Sequence, residues 1–460
     1  MIPAQNILFT GCRIIDAETD IAYGWIMVSD GIISRFGEGV PELEIAEKAD
    51  LTYDVTGQIA MPGIIDTHVH FREPGFTHKA DIASESRAAA AGGVTTFFDM
   101  PNTNPPTNSI EAWKDKMLRA EKDSLVNYAF FVGATPDNIN WLESLSYTDC
   151  PGVKLFMGST TGTSASASRL WLDDLFSRVK AIIAVHAEDD RIIAFNQEAA
   201  IERYGTADNV PIDAHPYIRD EKACIEATRQ IISIAEKYCH RLHICHISTA
   251  SEVSMLSSGK NPLAKTITAE TCPQYLTFDK TDYNRLGARI KCNPSIKEAS
   301  DRKTLDDALI TGLIDTIATD HAPHLSSDKI GGALKATSGM PGVQFSLPLM
   351  LEKTIDGHLT LSDISRLMSG NPAVIFGIEQ RGFIRHEYHA DLVFVKKDST
   401  PHYISDSDVV SKCGWTPYAG ISLSYSVKST WVNGICVYSE GKFPHISRKA
   451  AQPVKFKGTV

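Results

Sequence analysis

The sequence predicts an α/β protein: a (β/α)8 TIM-type barrel carrying a small β-sandwich domain built from both chain ends. Between residue 59 and about residue 325, short β-branched apolar runs alternate with longer amphipathic ones, the pattern of repeated βα units. Eight such runs occur, which points to a closed parallel barrel rather than an open doubly wound sheet. No GxGxxG follows the first run, so a dinucleotide-binding sheet lacks its fingerprint. Both flanks read as short strands without long helices.

Residues 1–58 contain "ILFTGCRIID" and "GWIMVSDGIISRFG", strand-like runs separated by turn residues, and form the first part of the sandwich. The catalytic barrel is assigned to residues 59–382. Its eight runs are "GIIDTHVH" (63–70), "GVTTFFDM" (93–100), "NYAFFVGA" (127–134), "GVKLFMG" (152–158), "AIIAVHAE" (181–188), "RLHICHIS" (241–248), "KTITAETC" (265–272) and "DTIATDHA" (315–322). Between them, "KADIASESRAAAAGG" and "DEKACIEATRQIISIAEKYC" repeat apolar positions at three and four residues, as helices do. The stretch 335–343 reads as a surface loop after the eighth run. Residues 383–460, with "ADLVFVKKD" and "SVKSTWVNGICVYSEGKF", return to short strands and complete the sandwich.

With 460 residues, 43% of them hydrophobic and 22% charged, the chain exceeds the size at which one core stops growing, so one large and one smaller domain are expected. The net charge of −11 argues against a nucleic-acid or anionic-membrane surface, since both need excess Lys and Arg. No basic segment followed by an apolar stretch opens the chain and no run is long enough to span a bilayer, so a cytoplasmic protein is expected. Its nine cysteines are scattered without a CxxC pair, which suits reduced thiols; Cys12, Cys150, Cys224 and Cys436 read as buried small hydrophobes.

Active sites of such barrels form at the C-terminal ends of the strands. Polar residues crowd those ends here: His68 and His70 on the first run, Lys154 on the fourth, His186 on the fifth, His243 and His246 on the sixth, Asp320 on the eighth. Taken singly, each has an ordinary explanation, a hydrogen-bonded structural histidine, a helix-capping aspartate or a lysine snorkelling at the rim. Their joint placement at one end of separate strands outweighs those explanations. Side chains two apart share a strand face, so His68 and His70 enter the barrel together. His243 and His246 differ by an odd number and cannot both face inward on a regular strand, which makes His246 the ligand and His243 a supporting residue. His240, Cys239 and Cys245 lack the paired spacing of a zinc knuckle.

The segments "PGIIDTHVHFREPG", "DMPNTNPPT", "GVKLFMG", "VHAED", "CHIST" and "IATDHAPH", in that order and with "CGWTPYAG" near the end, resemble the metal-dependent amidohydrolase superfamily and, within it, the dihydroorotase family. The resemblance implies two Zn2+ per subunit, bridged by a carboxylated Lys154 and a hydroxide. His68, His70 and Asp320 would hold the first ion, His186 and His246 the second. The activity it implies is the reversible cyclisation of N-carbamoyl-L-aspartate to dihydroorotate in pyrimidine biosynthesis, with Asp320 as the catalytic base, in a homo-oligomer, dimer or tetramer.

A carboxylate-bearing substrate suits Arg72, whose planar fork offers a bidentate contact. By resemblance, Asn102 and His324 share that carboxylate, and Asn293 with the backbone at Ser338 and Gly339 reads the ring amide. Thr160 and Thr161 would sit on a loop closing over it. The ordinary reading of Arg72 is an ion pair with Glu73. Allantoinase and dihydropyrimidinase (hydantoinase) are the nearest rivals; hydantoinases place a tyrosine where this chain has Ser159, and allantoinases lack the arginine of "FREPG". A non-catalytic scaffold would have lost ligands, yet every expected position is filled.

Overall fold

The structure, a computed structural model, describes residues 5–158 and 168–458. Eight parallel strands form the barrel in chain order: Ile64–Val69, Val94–Asp99, Asn127–Phe130 continuing as Val132–Gly133, Val153–Phe156, Ile183–His186, Leu242–Ile244, Ile267–Thr271 and Thr316–Ile317. The third strand changes partners at Phe131, pairing with the second before it and the fourth after it. A parallel bridge from Val69 to His321, with His70 N donating to His321 O at 2.7 Å, joins first to last and closes the barrel. All eight runs read from the sequence are present.

The later strands are shorter than their apolar runs. The sixth ends at Ile244 and the eighth at Ile317, because the residues beyond them leave the ladder; His246 (φ 42°) and Asp320 (φ 48°) take left-handed backbone. Such φ values are uncommon for residues with a Cβ and cluster where side chains are aimed at a site. The parity argument for the sixth strand therefore applies only as far as Ile244. Regular alternation stops before His246, and His243 Nε2 and the His246 N–H both face Glu270, at 3.6 and 3.3 Å.

The helix Glu221–Lys237 shows how the layer outside the barrel is built. Asp220 caps it by accepting from Ala223 N at 3.0 Å, and Ala227, Ile231, Ile234 and Ala235 form the buried stripe that the three-and-four spacing predicted. Ile231 is fully buried, so truncating it to alanine costs about 2–5 kcal/mol.

Strands from both chain flanks share one eight-stranded sheet, in the order Ile435–Ser439, Ser422–Val432, Leu392–Tyr403, Ile59–Pro62, Asn6–Ile15, Asp20–Ser29, Ile32–Glu38. The strand Asn6–Ile15 forks, pairing with Leu51–Asp54 along its first half and with Ile59–Pro62 along its second. The fork sits at Gly11, whose φ is +81° and where a Cβ would lie 2.3 Å from Thr56 Oγ1. Phe9 closes the space between the two arms, 4.8 Å from the ring of Phe394 and 4.8 Å from that of Trp431.

Three details differ from the sequence reading. Residues 59–62, placed with the barrel, pair inside the flanking sheet because Ile59 and Met61 complete its ladder to Leu392–Tyr403. The stretch 335–343 is not a surface loop: Met340, Pro341, Gly342 and Val343 are buried, with Met340 bridged to His321. Residues 452–456 leave the flanking sheet and run along the barrel, where Val454 N donates to Tyr128 O at 3.0 Å. Among the described residues, no helix is long and apolar enough to cross a membrane.

Candidate active site and metal centre

His68 and His70 project from one face of the first strand into the barrel mouth, where Asp320 meets them. His70 Nε2 lies 2.9 Å and His68 Nε2 3.4 Å from Asp320 Oδ1. The outer nitrogens are held too: His68 Nδ1 by Glu270 Oε1 and His70 Nδ1 by Asn102 Oδ1, each at 2.8 Å. Carboxylate or amide support of this kind fixes which ring nitrogen is free to bind a metal. The candidate donor atoms of His68, His70 and Asp320 lie within 4.8 Å of one another, and so do those of His68, Cys245 and Glu270.

His186 and His246 form the other half of the site, with His186 Nδ1 2.9 Å from His246 Nε2. The rings of His68 and His246 are 5.3 Å apart, so both halves belong to one centre. Glu188 backs His186 at 3.0 Å and is itself paired with Arg219. Among the described residues His246 Nδ1 is buried without a hydrogen-bond partner. Lys154 has no solvent exposure; its Nζ lies 2.9 Å from Cys245 Sγ, and no carboxylate approaches within 4 Å among the described residues.

Electrostatics make these groups good ligands. Burial, then the charge of Lys154, pushes the His68 imidazole down, and burial with His186 and His68 pushes His246 well down, towards the uncharged form that offers a lone pair to a metal. Burial alone would raise Asp320, but His68, His70 and His246 together hold its carboxyl below the usual range. Burial likewise opposes ionisation of Glu270, and His68 and His243 outweigh it. Neutral imidazoles grouped with ionised carboxylates fit zinc-type chemistry.

Beside this centre a narrow cleft of about 30 Å³ is lined by His70, Arg72, Asn102, Asn293, Asp320, Ala322, Ser338 and Gly339. Arg72 takes a left-handed φ of 67°, and its Nε donates to Pro323 O at 3.1 Å. Burial, partly offset by Asp320, lowers its guanidinium to about 10, which leaves it cationic. It makes no ion pair with Glu73, which holds Arg119 at 3.2 Å and accepts from Ile82 N. Asn293 Oδ1 is a buried acceptor without a partner among the described residues. Gly339, with φ +127°, admits no side chain, since a Cβ would fall 2.8 Å from Ala322 O. His324 stands behind the lining, with Nε2 3.0 Å from both Arg72 Nη2 and Ser338 O. Ser159, Thr160 and Thr161 lie outside the described residues.

Several supporting groups escaped the sequence reading. Glu270 touches His68, Asp66 accepts from Thr319 Oγ1 at 2.6 Å, and Glu85 holds His321 at 2.8 Å. Glu270 carried a legible signal, an acid inside a β-branched run, as conspicuous there as Lys154 in its own run.

A parallel barrel with imidazoles and a carboxylate converging at its mouth fits a metal-dependent hydrolase of small molecules. The amidohydrolase family model matches residues 59–437, and the chain belongs to that family. A dihydroorotase from Halobacterium salinarum is 34% identical over 392 residues, 84% of this chain and 88% of the relative. An allantoinase from Bacillus velezensis is 31% identical over 422 residues, 90% of each chain. Among solved structures, an L-hydantoinase (dihydropyrimidinase) from Arthrobacter aurescens superimposes with a TM-score of 0.89 at 26% identity, over 98% of this chain and 99% of that one.

Proposed function

We propose that the protein is a dihydroorotase, interconverting N-carbamoyl-L-aspartate and dihydroorotate in pyrimidine biosynthesis. The observation that carries this reading is Arg72, a buried cation in the lining of the cleft beside Asp320. A desolvated guanidinium there calls for an anionic group on the substrate. Allantoin and hydantoin rings bring no carboxylate to it.

In this reading His68, His70 and Asp320 would hold one zinc ion, His186 and His246 would hold a second, and Lys154, once carboxylated, would serve both. The buried His246 Nδ1, unpartnered among the described residues, and the buried Lys154, whose Nζ meets Cys245 Sγ rather than a carboxylate, support the assignment. Zinc bound there supplies Lewis acidity that polarises the ring carbonyl and lowers the pKa of water. Arg72 and Asn102 orient the substrate carboxylate, while Asn293 Oδ1 accepts from the ring N–H. Asp320, held ionised, takes the proton of the attacking water as its oxygen adds to the carbonyl carbon. It returns that proton to the ring nitrogen as the C–N bond breaks. Cyclisation runs the same steps backwards.

The test offers purified protein of measured metal content dihydroorotate, N-carbamoyl-aspartate, allantoin and hydantoin. Turnover of the first two is expected; turnover of only the last two overturns the substrate assignment. Lys154 is checked by a crystal structure, where unmodified amine density between the metal positions would remove it as the bridge.

A further inference from the structure

His324 is a buried imidazole with three polar neighbours that cannot all be satisfied. Lys79 Nζ, a donor only, lies 3.0 Å from Nδ1. At Nε2 stand Arg72 Nη2, another donor, and the carbonyl of Ser338, an acceptor, each at 3.0 Å. Burial, with Arg72 and Lys79 alongside, keeps the ring neutral, so it carries one N–H and one lone pair. With the proton on Nδ1, N–H would face ammonium and the Ser338 carbonyl would lose its donor. Asp328 offers no remedy, because its Oδ2 is 3.7 Å from Nδ1, beyond hydrogen-bond range. With the proton on Nε2, both Lys79 and Ser338 are satisfied. Arg72 Nη2 is then the group left without an acceptor in His324.

We propose that Lys79 is a positioning residue: by donating to His324 Nδ1 it fixes the Nε2–H tautomer, which denies Arg72 a partner in His324 and keeps its fork available to an anionic substrate group. This rests on the dihydroorotase reading for the identity of that anion, but not for the tautomer. The placement of Lys79 favours it. Its side chain is 15% exposed and anchored 3.2 Å from Asp328 Oδ2, and Lys79 is not among the residues that line the cleft.

Two measurements test it. In wild-type protein with 15N-labelled imidazoles, long-range proton–nitrogen spectra should show His324, identified by its loss in His324→Asn, protonated at Nε2 and bare at Nδ1. An Nδ1–H ring overturns the proposal and needs no variant of Lys79. In kinetics, Lys79→Met should raise KM for dihydroorotate about tenfold, the worth of a charge-assisted hydrogen bond, with kcat held within about twofold. Lys79→Arg, which keeps the donor, should restore KM. An unchanged KM in Lys79→Met also overturns the proposal. Should the wild type fail to turn over dihydroorotate, the proposed function falls while the spectra still decide on Lys79.

Discussion

Asp99 and Lys116 form an ion pair in which neither side chain has any solvent exposure. Asp99 Oδ1 also accepts from Phe71 N at 2.7 Å, and Lys116 Nζ donates to Met100 O at 2.9 Å. The pair therefore braces two stretches of backbone at once, the strand end between His70 and Arg72 and the loop leading to Asn102. Removing one partner leaves a charge buried, so Lys116→Met should lower stability by about 3–5 kcal/mol, read from urea unfolding. Asp99→Asn combined with Lys116→Met should cost less than Lys116→Met alone; an equal or larger loss would refute the stranded-charge explanation.

Arg72 should matter for substrate and not for metal. Its fork is in the cleft lining, and a guanidinium has donors only, with no lone pair to offer a metal. Arg72→Ala is expected to raise KM for dihydroorotate about ten- to a hundredfold, the loss of one or two charge-assisted contacts. Zinc content by elemental analysis should stay near that of the wild type. A variant that loses its metal instead would mean that Arg72 supports the centre rather than the substrate.

Asp320 combines two roles, and they can be separated. Asp320→Ala should reduce kcat by about 10²–10⁴-fold, the range of a lost proton-transfer group, while the four histidines retain part of the metal. Near-normal turnover would refute the assignment as base. Dialysis of the wild type against a chelator should abolish activity, and zinc should restore it.

The flanking sheet supplies a pH test remote from the site. His389 is bridged to Ile32, and burial, reinforced by Arg381, pushes its imidazole from 6.5 down to about 4. Between those values the unfolded chain binds the proton and the folded one does not. Stability should therefore be full above about pH 6.5 and fall as pH drops towards 4. In His389→Gln the fall in Tm over this window should be shallower; an unaltered slope would assign the acid sensitivity to other groups.

Much of the barrel was legible because parallel strands buried on both faces must be continuous β-branched runs, as in "GVTTFFDM" and "AIIAVHAE". The candidate ligands were legible only jointly: each alone has an ordinary structural explanation, and their grouping at one end of separate runs set them apart. Supporting acids were harder. Asp99 closes a run as any turn residue does, and only folding reveals that Lys116, from the middle of an amphipathic helix, reaches it. Glu188 and Arg219 are likewise unremarkable until the chain brings them together. The left-handed backbone at His246 and Asp320 left no trace in alternation patterns.

The bridge from Val69 to His321 joins points separated by most of the barrel sequence. During synthesis on the ribosome His68 and His70 emerge long before Asp320, so for that interval the first strand waits with half a cage. No truncated product that stops short of the eighth strand can assemble the centre, however well its earlier units fold. The full set of candidate ligands thus exists only once the circle of strands has been completed.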